Sequence, residues 1–335
     1  MVKYLIFHTQ KMVRFETIYT LNIVAATVHA VSGFVVFGRA FYMQPMTLPS
    51  GYETVGNQAI GPYLPSVCFR SRGSNGIPPL FFVEPQLTWD LKVYTAVLVT
   101  MFFLLSAGFQ AFQAINKDAY RQRVESNGTN FLRYIEYSFS ASVMMVCVAT
   151  TLMIFDLFTH MLIFTCTFTC MLLGLLADCL RTNARQLQSV LRDHPTITII
   201  INTVDELNEL KWKTHYLSWA TFLKPYVLVY GVSYFRTVYR AWDCLDGLPT
   251  NEPTTPVWVH VVVVSQFVLF SCFGVVQYLQ FNAIPDTISI KSLHQELEDD
   301  KRIGTTTEFS FIFLSLTAKS ILGWLVAGNF LFVET

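Results

Sequence analysis

Hydrophobic residues in this chain come in long continuous runs separated by polar connections, not in the short stripes of a soluble core. Seven runs have roughly the 20 residues that an apolar helix needs to cross hydrocarbon. They are Thr17–Phe37, Val93–Ile115, Tyr134–Phe155, Leu157–Leu180, Tyr216–Phe235, Val257–Phe281 and Glu308–Phe332. Backbone polar groups in lipid must be satisfied within the segment, which selects helices. A barrel would need short alternating segments instead. The pattern predicts an all-α membrane protein, a seven-transmembrane helix bundle formed as one heptahelical domain over residues 1–335. No signal peptide is expected, because no small-residue cleavage site follows the short apolar patch in Met1–Gln10.

The connections differ in character. Residues 42–90, between the first two runs, hold Pro45, Pro49, Pro62, Pro65, Pro78, Pro79 and Pro85, over half of the 13 prolines. Proline at that density excludes helix, and the length predicts an ordered cap. Residues 181–215 form a second long segment; Thr196–Ile201 reads as a strand and Val204–Trp212 as an amphipathic helix. Glu296, Glu298, Asp299 and Asp300, before the last run, read as a solvated acidic face.

Composition supports the membrane reading. Hydrophobic types make up 53% and charged types 14%, against about 25% charged in soluble domains. Mean hydropathy is +0.43. Basic and acidic residues balance at 23 each, so nucleic acid is not an expected partner; the lipid bilayer is. The placement of basic residues sets the orientation. Fourteen Lys and Arg fall in the N-terminal segment and the second, fourth and sixth connections. Four, namely Arg70, Arg72, Arg236 and Arg240, fall on the other side. The positive-inside rule then places the N-terminus in the cytoplasm, the C-terminus outside and the 42–90 loop extracellular. The acceptor triplet at Asn127 would be cytoplasmic and free of glycan. Cys68 and Cys244 share the outer side, where a disulfide between them is an open alternative; the other cysteines read mainly as inert buried thiols.

Ionisable groups inside the membrane are costly and mark functional positions. Lys319 lies about 16 Å into the last run, near mid-membrane. It reads either as a structural lysine paired with a carboxylate or as a Schiff-base lysine in a low-dielectric pocket. Glu136, about 10 Å into the third run, is the matching anion. Arg133 stands one turn before it and Ser140 one turn after it, on the same face. Arg133 would keep Glu136 ionised. Ser315, four positions before Lys319, can bond both Glu136 and the lysine nitrogen. Lys224-Pro225 places a cation and a helix-perturbing proline in the fifth run; a snorkelling or packing role is the simpler reading of Lys224. His29 is the one histidine deep in an expected span.

The segments Leu314–Trp324 (LSLTAKSILGW) and Arg133–Ser142 (RYIEYSFSAS) resemble the heliorhodopsins, seven-helix retinal proteins with a cytoplasmic N-terminus. Leu21–His29 and Phe270–Gln280 are similar too, and Phe102–Gln110 more weakly. The resemblance implies all-trans retinal bound through Lys319, with Glu136 as counterion and Ser315 bonded nearby. It implies that His29 belongs to a polar cavity on the cytoplasmic side, and that Trp324, Tyr226 and Phe273 stand in the pocket wall. It also implies a homodimer; a photosensory role would call for a signalling partner, which the sequence does not identify. Two positions depart from the family: Gln110 stands where a second histidine is usual, and Tyr226 where tryptophan follows the proline.

The outer halves of the runs hold almost no carboxylates, which opposes ion flow. The expectation is therefore a photosensory, non-pumping protein and not an enzyme, since no catalytic triad, phosphate loop or metal spacing is present. Light-gated ion or proton passage is the runner-up. A ligand-gated chemoreceptor-like channel would explain the topology, but not Lys319 opposite Glu136.

Overall fold

The computed structural model describes residues 13–41, 91–127, 130–152, 154, 157–193, 198–231, 257–283 and 293–330. Its helices are α1 (Phe15–Phe41), α2 (Leu91–Ile115), the short α3 (Lys117–Gln122), α4 (Phe131–Thr151), α5 (Leu157–Asp193), α6 (Thr198–Tyr226), α7 (Val257–Asn282) and α8 (Leu293–Phe330). Single π-helical segments, Arg123–Asn127 and Val227–Gly231, follow α3 and α6. The proline-rich residues 42–90, both Cys68 and Cys244, and residues 232–235 of the fifth expected span lie outside the described residues.

Two helices show exposed apolar faces opposite buried stripes that carry polar side chains. On α1 the buried stripe is Ile18, Asn22, Ala25, His29, Ser32 and Val36, while Ile23, Val24, Val28, Val31 and Phe34 are exposed. On α7 the buried stripe carries Gln266, Gln277 and Gln280, and the exposed face carries Val261, Val264, Phe267 and Val268. In water this arrangement would be unfavourable. In lipid it is expected, because apolar side chains meet acyl chains and polar ones bond across helices. Six described helices are long and apolar enough to span a membrane. The chain is an integral membrane protein.

Long helices that follow one another in sequence also pack side by side, from α1 and α2 through α4, α5, α6 and α7 to α8, and α8 returns to α1. Helix α4 is the innermost, with 17 of its 21 residues buried. Hydrogen bonds tie the neighbours: Asn22 Nδ2 to the Gln110 carbonyl at 2.9 Å, Ser218 Oγ to the Cys170 carbonyl at 2.9 Å and Gln266 Nε2 to the Ala318 carbonyl at 3.1 Å. Gly323 lets α8 approach α2, since a Cβ there would come within 2.4 Å of the Phe103 ring.

Helix α6 corrects one expectation. Residues 198–201 open a continuous α-helix and are not a strand. Their β-branched run favours extended backbone only weakly, and packing along α5 overrides it. With α5 reaching Asp193 and α6 starting at Thr198, much of the 181–215 segment is helical. Pro225 stands at the end of α6, where the missing N–H releases a carbonyl, and the π-helical segment starts two residues later. Lys224 is exposed.

The two ends of the bundle are unlike. Salt bridges Lys117–Glu16 (3.0 Å) and Lys301–Glu125 (3.6 Å) gather the start of α1, the α3 region and the start of α8 at one end. This basic end also holds Arg121, Arg123 and Arg302.

Candidate functional site

Lys319 projects from α8 into the bundle and is buried. Its Nζ donates to Glu136 Oε1 at 2.9 Å and to Ser315 Oγ at 2.8 Å. Ser315 reaches the same amine because four residues make about one helical turn. The lysine nitrogen also lies 5.1 Å from the Tyr137 ring centroid. A buried ammonium is tolerated only with such compensation.

The charges continue beyond Glu136. Arg133 Nη1 donates to Glu136 Oε2 at 3.3 Å, and Arg133 Nη2 donates to Glu308 on α8. Glu308 also accepts from Tyr120 Oη at 2.8 Å and Asn130 Nδ2 at 3.0 Å. Asn130 in turn donates to Gln113 Oε1 at 2.6 Å. Tyr137 is a second compensating group, its ring 5.8 Å from the Arg133 guanidinium and its hydroxyl bonded to the Phe311 carbonyl at 2.8 Å.

A small cavity opens beside Lys319, lined by Tyr137, Ser140, Met144, Met171, Phe270, Phe273, Ser315 and Lys319 among others. Ser140 Oγ is buried there without a protein partner. A second, larger cavity shares Tyr137, Met171, Phe270 and Phe273 with the first and extends between α5, α6 and α7. Gly274 makes room for the Trp219 indole on the cavity wall, because a Cβ there would come within 2.5 Å of Trp219. Its polar rim is a chain of bonds: Trp219 Nε1 donates to His215 Nε2 (3.1 Å), His215 Nδ1 pairs with Gln277 Oε1 (3.1 Å), and Gln277 Nε2 donates to Tyr134 Oη (3.1 Å) and the Gly174 carbonyl (2.8 Å).

The structure brings Lys319, Glu136, Ser315 and Arg133 into one bonded group, with Ser140 and Phe273 on the adjoining cavity wall. His29 and Gln110 form a separate polar pair between α1 and α2, Nδ1 to Oε1 at 3.0 Å, with no hydrogen bond to Lys319. Tyr226 is buried against Phe222 and Phe267 (5.1 Å each), away from the lysine cavity. Trp324 is 40% exposed; five positions beyond Lys319 is about 140° around the helix. Sequence reasoning missed Glu308, Tyr137 and His215. Glu308 was legible, since it lies 11 positions before Lys319, close to three whole turns, and so shares its face. His215 could not be read this way, because its partner Gln277 comes from another helix.

The heliorhodopsin family profile matches residues 18–191 and 238–331, and the chain belongs to that family. Heliorhodopsins are retinal-binding, light-sensing rhodopsins, photoreceptors and not classical enzymes. Among curated proteins no sequence matches this one. The match takes in Glu136, Glu308, Ser315 and Lys319 but leaves out residues 192–237, and with them His215, Lys224 and Tyr226. The residues present fit a retinal chromophore: one buried amine, a carboxylate in hydrogen-bond contact, and aromatic and thioether walls.

Proposed function

We propose that this protein is a photoreceptor carrying all-trans retinal as a Schiff base on Lys319, with Glu136 as counterion. The observation that carries the reading is the 2.9 Å contact between Lys319 Nζ and Glu136 Oε1 at the edge of an apolar cavity. Retinal supplies light absorption and a change of shape on excitation; the chain supplies the electrostatics. Ser315 and Glu136 hold the proton on the lysine nitrogen in the ground state. Tyr137 stabilises the positive charge through its ring face. Phe270, Phe273 and Met171 exclude water and shape the cavity.

The proposal includes seven spans, with the last part of α6 and the residues after it as the fifth. It is supported by the place of α6 between α5 and α7. It includes a cytoplasmic N-terminus and an extracellular C-terminus, supported by the basic residues gathered where α1 begins. The role is sensory and non-pumping, with a homodimer in the bilayer and a signalling partner of unknown identity. Among the described residues, α4 after Glu136 and α8 after Lys319 hold no Asp or Glu, so no carboxylate on these helices lies on the far side to relay a proton. Light-gated proton or ion passage remains the second reading, favoured by the charged groups between Glu136 and the basic end.

The deciding experiment is an absorption spectrum of the purified protein expressed with all-trans retinal, beside Lys319→Ala. A visible band that the substitution removes is expected. Absence of a band in folded wild-type protein overturns the reading. Photocurrent under voltage clamp, expected to be nil, separates the sensory role from the second reading.

A further inference from the structure

Four buried charges alternate in sign along one line of contacts: Lys319, Glu136, Arg133 and Glu308. Formally they sum to zero. Arg133 is shared between the two carboxylates, Nη1 on Glu136 at 3.3 Å and Nη2 on Glu308. Tyr120 and Asn130 also donate to Glu308 Oε1, which fixes that carboxylate in place. We propose that Glu308 is the second, distal carboxylate of the counterion. It holds the Arg133 guanidinium back from Glu136, leaving the negative charge of Glu136 facing Lys319. The proposal rests on the reading of Lys319 and Glu136 given above.

The two carboxylates compete for one cation in a poorly screened interior. With Glu308 neutralised, Arg133 has a single anionic partner and moves onto Glu136. Part of the field at the lysine nitrogen is then cancelled. Weakening a counter-anion lets positive charge spread along a conjugated cation, which lowers its excitation energy. Glu308 does not contact Lys319, so it is a positioning residue acting through Arg133.

The test uses the full chain with three variants: Glu308→Gln, Glu308→Asp, and the doubly substituted Arg133→Gln with Glu308→Gln. The first removes one charge and should move the visible band to longer wavelength. The aspartate variant should return it part of the way. The double variant removes the competing cation and its anchor together, stays formally neutral, and should absorb near the wild type. A merely structural role would instead give a double variant at least as disturbed as either single change. The second readout needs no chromophore: the infrared difference between retinal-free wild type and Glu308→Gln should show loss of an ionised carboxylate band. An unshifted Glu308→Gln pigment, a double variant shifted further than the single, or loss of a protonated carboxylic-acid band would each overturn the proposal. A wild type without any visible band would instead overturn the reading of Lys319.

Discussion

The basic end of the bundle and the far end use opposite means to hold the same helices together. Toward the basic end, α1, α2, α4 and α8 meet through Asn22, Gln110, Asn130, Arg133 and Glu308, nearly all of them buried and bonded across helices. Toward the far end, α2, α4 and α8 meet through Phe102, Phe103, Met144, Met145, Val148, Leu322 and Val326. Lys319 lies on the boundary between the two. The difference teaches where specificity and where exclusion reside. Hydrogen bonds and charges have one good geometry and define register, whereas close-packed apolar contacts mainly exclude water.

A charge placed in the apolar half should have the largest effect. Met145→Glu would bury an unpaired carboxylate in the apolar half and should lower stability by at least as much as breaking a buried ion pair, about 3–5 kcal/mol. Thermal unfolding of retinal-free protein in detergent measures it; a loss below about 1 kcal/mol would mean that water reaches this half. Removing a charge from the other half is the mirror experiment. Arg133→Gln leaves two carboxylates facing one lysine and should cost about 3–5 kcal/mol in the same assay. An unchanged midpoint would show that the charged line is not what holds α4 to α8.

Smaller changes sharpen the picture. Gly323→Ala drives a methyl group into Phe103 and should cost about 1–3 kcal/mol as overpacking, read as a lower melting temperature. Gly274→Ala should press Trp219 into the larger cavity. Slower pigment formation on adding retinal, with near-native stability of the retinal-free protein, is the expected result; an unchanged rate would show that this cavity plays no part in uptake. The smallest effect belongs to Lys117→Ala. Its ion pair with Glu16 is exposed on both sides, so the change should lie within about 1 kcal/mol.

What could be read from sequence follows from what is local. The expected spans coincide closely with α2 and α7, because a run of apolar residues in lipid needs no partner to declare itself. Lys319 and Glu136 were visible as lone charges inside such runs. Glu308 is less conspicuous, because a carboxylate at the edge of a run costs little; its phase relative to Lys319 is what marks it. The Thr198–Ile201 stretch was misread because β propensity is weaker than the packing of α6 on α5. The placement of Trp324 beside the retinal came from family resemblance, and its angular position on α8 turns it away from the lysine cavity. His215 and Gln277 belong to different helices, and no pattern within either helix announces that they meet.

The chain of bonds from Trp219 to Tyr134 has a direction. Trp219 can only donate, so His215 Nε2 must accept and Nδ1 must carry the hydrogen. The amide of Gln277 is thereby fixed with its oxygen toward His215 and its nitrogen toward α4 and α5. The links behave as a keyed joint: α6 cannot turn about its axis without turning Gln277, and Gln277 cannot turn without releasing Tyr134, two positions from Glu136. The joint couples the axial rotation of an outer helix to the electrostatic centre of the molecule.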